Sequence, residues 1–318
     1  MYEEGQILEL RAQGSPLLIK ARIVKLSTPW TLSAVMLVDI LQQPSDSSSG
    51  IEMPERVFLK LYDRRHAEQF RQEWRIDQAT PDVERQLLQF SRSGKTAAFL
   101  ENWRADPDFR FDDDDENPWG VPETETALSE RMREIWQTEV KVYKRLAQHQ
   151  GRRIPKLYAA VTFHIGPDDD DDDDDDEVFD IPGIIIEYID GFRLSDLADN
   201  TDSSEWNRLV NRAVDVTGEI LNDSDVLNED VRPDNMMVCR DTTWEGGYRL
   251  CMIDFGVCRF RGEDEEIEEW GQAKHVQDEE DGMGDIMRVK LREGSSFTLD
   301  CRRRLTWRKY AETEGEDC

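Results

Sequence analysis

Two acidic residues and an amide, spread over residues 228–256, carry the side chains best suited to chemistry in this chain. Asn235 follows Asp230 by five residues, and Asp254 comes after a second stretch of apolar sequence. A carboxylate can accept a proton from a hydroxyl, whereas amide and carboxylate oxygens can hold Mg²⁺ against phosphate oxygens. The types and order of these residues therefore predict phosphoryl-transfer chemistry.

Two short apolar runs must position these groups. Residues 236–238 and 250–253 predict buried strands, with Gly246-Gly247 in the turn between them. Such a hairpin would fix the distance between Asn235 and Asp254. The alternative is a polar loop followed by an ordinary hairpin, since Asp, Asn and Pro are common turn residues.

This stretch resembles the catalytic loop and Asp-Phe-Gly segment of the protein-kinase-like superfamily. The matching residues are Asp230, Arg232, Asn235 and 254–256. The resemblance implies that Asp230 and Arg232 are catalytic and that Asn235 and Asp254 bind the metal. Asn and Glu at 228–229 replace the family's His and Arg. The missing Arg argues against activation by loop phosphorylation.

A lysine interrupts an apolar strand early in the chain. Residues 57–62 read Val-Phe-Leu-Lys-Leu-Tyr, which resembles the third strand of the family's small lobe. The resemblance implies that Lys60 contacts the α and β phosphates of ATP. The alternative is that this lysine protects a sheet edge from aggregation.

The clearest helical pattern covers residues 128–148, and Glu139 lies on its apolar stripe. A buried carboxylate needs a cation, and the resemblance implies a pair with Lys60 that positions the nucleotide. In the alternative interpretation, Glu139 pairs with Lys141 or with solvent. Glu73 competes as the partner of Lys60, although its surroundings show less apolar periodicity.

The residues that would surround the nucleotide differ here from the pattern of the family. Residues 16–41 contain two strand-like runs, but no Gly lies between Gly14 and Gly50. Without the family's Gly-rich loop, the backbone cannot approach phosphates as closely, so nucleotide binding would be weaker or differently built. Residues 187–191 resemble the hinge, where the backbone at Glu187 and Ile189 would bind the purine. A plain buried strand is the alternative.

Acidic insertions interrupt the resemblance. The stretch 63–122 contains the run Asp112–Glu116, and nine consecutive aspartates occupy Asp168–Asp176. We expect a polar, solvated excursion with helical pieces near 63–122 and a solvated loop near 166–180, because like charges repel one another.

Two further helices are predicted downstream. Residues 204–222 predict an amphipathic helix, and residues 270–292 predict another. In the second, residues 281–287 faintly resemble the large-lobe helix that carries an aspartate under the catalytic loop in the family. Residues 257–318 lack an Ala-Pro-Glu motif, which indicates a shortened large lobe and argues against a conventional protein substrate.

Composition narrows the classes of partner. The chain has 70 acidic and 40 basic residues and a net charge of −30, so attraction to nucleic acid or to anionic membranes is not expected. It lacks a membrane-length apolar run and a basic-then-apolar start. The five scattered cysteines indicate reduced thiols. These features predict an intracellular protein, cytoplasmic or nuclear.

The sequence thus predicts an α+β, bilobal protein-kinase-like fold, similar to divergent kinase-like proteins of filamentous fungi. Residues 1–186 would form a small lobe with an antiparallel sheet plus a helix, and residues 187–318 the hinge and a shortened, mainly helical large lobe. The expected function is transfer of the γ-phosphate of ATP, with Mg²⁺, to a hydroxyl of a protein or a small molecule. The alternative is a pseudokinase that binds nucleotide or recruits basic protein partners through its acidic loops.

Overall fold

The computed structural model describes residues 2–16, 18–42, 53–106, 109, 118–166, 177–295, 297–301 and 306–310. The acidic runs Asp112–Glu116 and Asp168–Asp176 lie outside these ranges. The chain divides into two compact units, Met1–Gln137 with Leu157–Tyr188 and Thr138–Lys156 with Ile189–Cys318. Residues 138–156 therefore group with the second unit, whereas the expected division placed them in the first lobe.

An antiparallel barrel is the core of the first unit. Within the described ranges, its strands are β1 (Ile7–Ala12), β2 (Leu18–Leu26), β3 (Ala34–Gln42), β4 (Arg56–Leu61), β5 (Leu157–His164) and β6 (Asp180–Glu187). They close in the order β1-β2-β3-β4-β6-β5. Alternate residues point inward, as Leu8 and Leu10 do on β1, because successive side chains of a strand face opposite sides.

The barrel confirms the expected mixed α+β class and antiparallel sheet, and it differs from the expectation in one detail. A strand at Ile7–Ala12, before the first strand-like run noted in the sequence, makes the strand of Lys60 the fourth and not the third. Closure of the sheet on itself is a feature that the expected sheet plus helix did not specify.

Four helices accompany the barrel in chain order. They are α1 (Glu68–Glu73), α2 (Pro81–Arg92), α3 (Lys95–Ala105) and α4 (Val121–Arg145). An aromatic cluster joins the segments of this region through ring contacts of 5.1–6.4 Å between centroids. Its members are Phe70, Trp74, Phe99, Trp103, Phe109 and Trp119. The described part of the stretch 63–122 contains helical pieces, as expected, and its aromatic residues, spaced among the charges, pack against one another.

A buried ionic triad lies beside this cluster. Glu125 accepts hydrogen bonds from Arg64 at 2.6 Å and from Arg71 at 2.9 and 2.8 Å. All three side chains are about 2% exposed. Arg64 also contacts Glu84 at 2.6 Å, and Arg71 donates to two backbone carbonyls. Burial of two guanidinium groups depends on this carboxylate.

We expect Glu125→Gln to lower the free energy of unfolding by about 1–3 kcal/mol, because an amide keeps one acceptor but removes the charge that two buried arginines share. Urea denaturation of the full chain measures the change. Glu101→Gln, at an exposed position on α3, is the matched control and should shift stability by less than about 0.5 kcal/mol. Equal stability of the two variants would show that the triad does not contribute.

The second unit is built from short strands and helices. In chain order they are β7 (Phe192–Arg193), α5 (Leu197–Asn200), α6 (Trp206–Leu221), β8 (Val226–Asn228), β9 (Met236–Arg240), β10 (Tyr248–Met252), β11 (Cys258–Phe260), α7 (Ile267–Gln277) and α8 (Glu279–Ser295). Within the described residues, β10, β9 and β7 form one sheet, and β11 pairs with β8.

Several predictions for this unit are confirmed. Helix α6 lies within the predicted range 204–222, and β9 and β10 form the predicted hairpin with Met252 opposite Met236. Gly246 and Gly247 have φ of 75° and 73°, which glycine adopts without a steric penalty. The single helix expected over 270–292 is wrong, because Asp278 takes a left-handed conformation (φ 47°) and separates α7 from α8.

No helix among the described residues is long and apolar enough to cross a membrane. The four described cysteines, Cys239, Cys251, Cys258 and Cys301, are free thiols, and Cys318 lies outside the described ranges.

Candidate functional site

The loop between β8 and β9 brings three of the predicted site residues together. The amide nitrogen Nδ2 of Asn235 donates to the carboxylate Oδ2 and to the backbone oxygen of Asp230, both at 2.9 Å. Arg232 forms an ion pair with the same carboxylate oxygen at 3.2 Å. The Asp230 side chain keeps 28% of its surface exposed. It is therefore oriented by its neighbours and still accessible to a reactant.

Asn228 braces the start of this loop. Its side chain is almost fully buried, and its Oδ1 accepts from the backbone N–H of Asp230 at 2.9 Å. An Asn side chain that bonds the backbone two residues on stabilises a turn. The Asn228 side chain thus supports the backbone at Asp230.

A buried ion pair holds Asn228 from the other side. Glu279, the first residue of α8, accepts from the Asn228 backbone N–H at 2.7 Å. Lys274 of α7 donates to Glu279 at 2.5 Å, and also to the carbonyl oxygens of Leu221 at 3.3 Å and Val226 at 2.5 Å. Burial lowers the pKa of Lys274 and raises that of Glu279, so each charge depends on the other. The loop of Asp230 is therefore anchored to two helices.

Sequence reasoning missed Glu279 and Lys274. It compared residues 281–287 with a helix that carries an aspartate under the catalytic loop, but the carboxylate that accepts from the loop backbone belongs to Glu279, which precedes that stretch. A lysine and a glutamate five residues apart give no sequence signal when the helix breaks between them.

The β9–β10 hairpin sets the position of the second acidic residue. The backbone N–H of Ile253 donates to the carbonyl of Asn235 at 2.9 Å. Asp254 is therefore the next residue after a direct hydrogen bond to the loop that carries Asn235. Asp254 has φ of 65°, in the left-handed region that few non-glycine residues adopt. Strained backbone of this kind is concentrated at functional sites, which makes Asp254 a functional candidate on conformation as well as on sequence.

Phe255 fixes the segment that carries Asp254. Its side chain is fully buried and meets the ring of Tyr143 at 5.5 Å in a T-shaped contact. Tyr143 lies on α4, one turn after Glu139, whose side chain is 1% exposed. Residues four apart share one helix face. Glu139 and Tyr143, which packs against Phe255, therefore lie on the same face of α4.

The remaining predicted residues lie on different parts of the chain. In the first unit, Lys60 is 6% exposed, stands opposite Ile184 in the β4–β6 ladder, and has its ammonium 5.2 Å from the ring centre of Tyr62. Glu187 ends β6 in the same unit. Ile189 belongs to the second unit and packs with Cys239 and Cys251. Their expected contacts with a nucleotide stay predictions.

The loop 27–33, between β2 and β3, stands where the resemblance implies a Gly-rich loop. Its Trp30 ring lies 4.7 Å from His66 and 6.0 Å from Tyr2, and its indole N–H donates to Val35 at 3.3 Å. The Gln69 backbone N–H donates to the carbonyl of Thr31 at 3.1 Å. Aromatic packing and backbone bonds therefore hold this loop, in place of the close backbone approach that glycine permits.

The donor set fits magnesium. Among the described residues there is no group of three or more His, Cys, Asp or Glu side chains that could enclose a metal. Magnesium commonly binds to one or two protein oxygens and takes its other ligands from water and phosphate. Nδ2 of Asn235 makes both contacts with Asp230. The amide oxygen of Asn235 and the Asp254 carboxylate are the protein oxygens that would hold the ion.

Comparison with solved structures finds chains of similar fold. The chain is similar to the Rio2 kinase of Chaetomium thermophilum in its ADP/Mg²⁺-phosphoaspartate complex, with a TM-score of 0.46 and 11% sequence identity. The match covers 93% of this chain and 63% of that kinase chain, so this chain spans less than two thirds of its length. No protein-family model matches the sequence, and no curated protein matches it.

Proposed function

We propose that this protein is a kinase-like phosphotransferase that moves the γ-phosphate of ATP, bound with Mg²⁺, to a hydroxyl acceptor. The main support is the hydrogen-bonded set of Asp230, Arg232 and Asn235, joined through Ile253 to a left-handed Asp254. A proton acceptor, a cation and two oxygen ligands in this order match the needs of phosphoryl transfer.

In this proposal, Asp230 orients the acceptor hydroxyl and takes its proton. The hydroxyl oxygen forms a bond to the γ-phosphorus while the bond between that phosphorus and the bridging oxygen of ADP breaks. Arg232 offsets charge on the transferred group, and Asn235 and Asp254 hold the metal. The acceptor would be a protein or a small molecule.

The nucleotide would be bound by residues from several elements. Lys60 would contact its α and β phosphates, with Glu139 as the carboxylate that orients the lysine. The backbone at Glu187 and Ile189 would bind the purine edge. The roles of Lys60 and Glu139 follow from residue type and the resemblance and can be tested by single substitution, whereas the backbone role at Glu187 and Ile189 follows from the resemblance alone.

A pseudokinase is the second candidate, and loop 27–33 favours it. Trp30 packs against His66 and Tyr2, and this arrangement replaces a flexible glycine loop with a braced aromatic one. Such a protein would bind nucleotide weakly or not at all. It would act as an interaction module for basic protein partners.

Binding of Mg-ATP to the purified full chain tests the proposal. We expect isothermal titration to show binding that depends on Mg²⁺ and that weakens at least about tenfold in Asp254→Asn, which removes one metal ligand charge. Asp264→Asn, at an exposed position, is the matched control and should bind as the wild type does. Lys60→Met should also weaken binding. Absence of wild-type binding, or full affinity in Asp254→Asn, would contradict the proposal.

A further inference from the structure

The segment that follows Gly256 contains a compact ionic cluster, here named the Arg259 cluster, formed by Glu229, Arg259, Glu265 and Trp270. The two terminal nitrogens of Arg259 donate to the two carboxylate oxygens of Glu265, each at 3.0 Å. The guanidinium lies 4.8 Å from the ring centre of Trp270 and 3.9 Å from the Glu229 carboxylate. Bidentate pairs of this kind combine directional hydrogen bonds with opposite charges.

Glu265 also organises the backbone around it. Its Oε2 accepts from the backbone N–H of Gly262 at 3.0 Å, and its own carbonyl accepts two hydrogen bonds from Arg261, at 3.0 and 2.8 Å. Hydrogen bonds from Arg259 lower the pKa of Glu265, so the carboxylate stays charged at neutral pH. One acidic side chain therefore joins β11 to the turn that precedes α7.

The cluster also touches the loop of the proposed catalytic residue. Glu229 immediately precedes Asp230, and its backbone N–H donates to the carbonyl of Val257 at 3.1 Å. Strand β11 pairs with β8, with Arg259 opposite Leu227. These hydrogen bonds join the segment 257–266 to the Asp230 loop within one unit. Loss of structure in the segment would therefore disturb the position of the loop.

The sequence excludes the usual way of switching such a segment. From Val257 to Gly294 the chain contains no Ser, Thr or Tyr, so no side-chain hydroxyl in this stretch can be phosphorylated. In phosphorylation switches, an added phosphate pairs with arginine and orders a loop. Here the carboxylate of Glu265 already pairs with Arg259. This arginine lies on the segment 257–266 itself and not next to Asp230.

We propose that Glu265 is a built-in substitute for a regulatory phosphate, and that it keeps the segment 257–266 ordered without any modification. The regulatory meaning rests on the proposed function, because the ordered segment supports the site of Asp230. The ordering itself does not depend on nucleotide. The site would then be permanently assembled, and any control would act elsewhere.

Hydrogen exchange of the nucleotide-free full chain tests the ordering. We expect the backbone amides of 257–270 to exchange at least about tenfold faster in Glu265→Ala than in the wild type, because the turn loses its acceptors, while α6 keeps its protection. Glu263→Ala, two residues away and exposed, is the matched control and should exchange as the wild type does. Arg259→Lys should also accelerate exchange, since an ammonium cannot reproduce the bidentate contact.

Two outcomes separate this inference from the proposed function. Exchange in Glu265→Ala that equals that of the wild type would overturn the role of Glu265, whatever the nucleotide result. Faster exchange in Glu265→Ala would support that role even if the wild type failed to bind Mg-ATP, in which case only the proposed function would be wrong. Where the wild type binds Mg-ATP, Glu265→Ala should bind it more weakly than Glu263→Ala.

Discussion

Glu279→Ala is expected to lower the free energy of unfolding by about 3–5 kcal/mol, since it leaves a fully buried lysine without its counter-charge. The same change removes the acceptor of the Asn228 backbone N–H. Burial already opposes the charge on Lys274, which makes the loss of its partner more costly than the loss of a surface ion pair. Urea denaturation, followed by circular dichroism, measures the effect.

Two further variants make this result specific. Glu293→Ala, at an exposed position on the same helix, should change stability by less than about 0.5 kcal/mol. The double variant Lys274→Met, Glu279→Met should recover part of the loss, because apolar replacement of both partners removes the buried charge. A loss below about 1 kcal/mol in Glu279→Ala would mean that the loop of Asp230 does not depend on this pair.

Asp230→Asn is expected to reduce phosphate release from Mg-ATP by about 10²–10⁴-fold, the usual contribution of a positioned general base. The amide has nearly the same shape, and the backbone oxygen of residue 230 still accepts from Asn235, so the loop should keep its conformation. Nucleotide affinity should therefore change little, in contrast to Asp254→Asn.

Release of inorganic phosphate under single-turnover conditions measures this effect, with isothermal titration of the same samples as the measure of binding. Asp223→Asn, at an exposed position before β8, serves as the matched control and should retain wild-type rates. A rate in Asp230→Asn within tenfold of the wild type would exclude Asp230 as the base. Wild-type binding without any turnover would instead favour the pseudokinase.

Local patterns in the sequence predicted the parts of the candidate site that depend on short-range structure. The hairpin of β9 and β10 was predictable because its apolar runs and its two glycines are adjacent in the chain. Helices α4 and α6 were predictable because their apolar stripes are long and regular. Glu139 lies on α4, and Asn235 and Asp254 flank the hairpin, so the candidates themselves could be chosen without a structure.

Contacts between distant segments could not be predicted in this way. The triad around Glu125 joins residues more than 50 positions apart, and nothing in its local sequence indicates that an arginine will be buried. Closure of the barrel depends on pairing of β1 with β5, which brings together strands from opposite ends of the first unit. The break at Asp278 comes directly before Glu279, whose carboxylate meets Lys274 and the backbone of Asn228, a residue 51 positions away.

The indole cluster of the first unit has a spectroscopic consequence. Trp74 lies 6.4 Å from Trp103, which lies 5.6 Å from Trp119, all measured between ring centres. Neighbouring indoles at such separations couple their electronic transitions, so this unit carries an intrinsic optical signature that is absent from isolated tryptophans. Loss of that coupled signal on heating or in denaturant would report the unfolding of the region that carries Trp74, Trp103 and Trp119, without any attached dye.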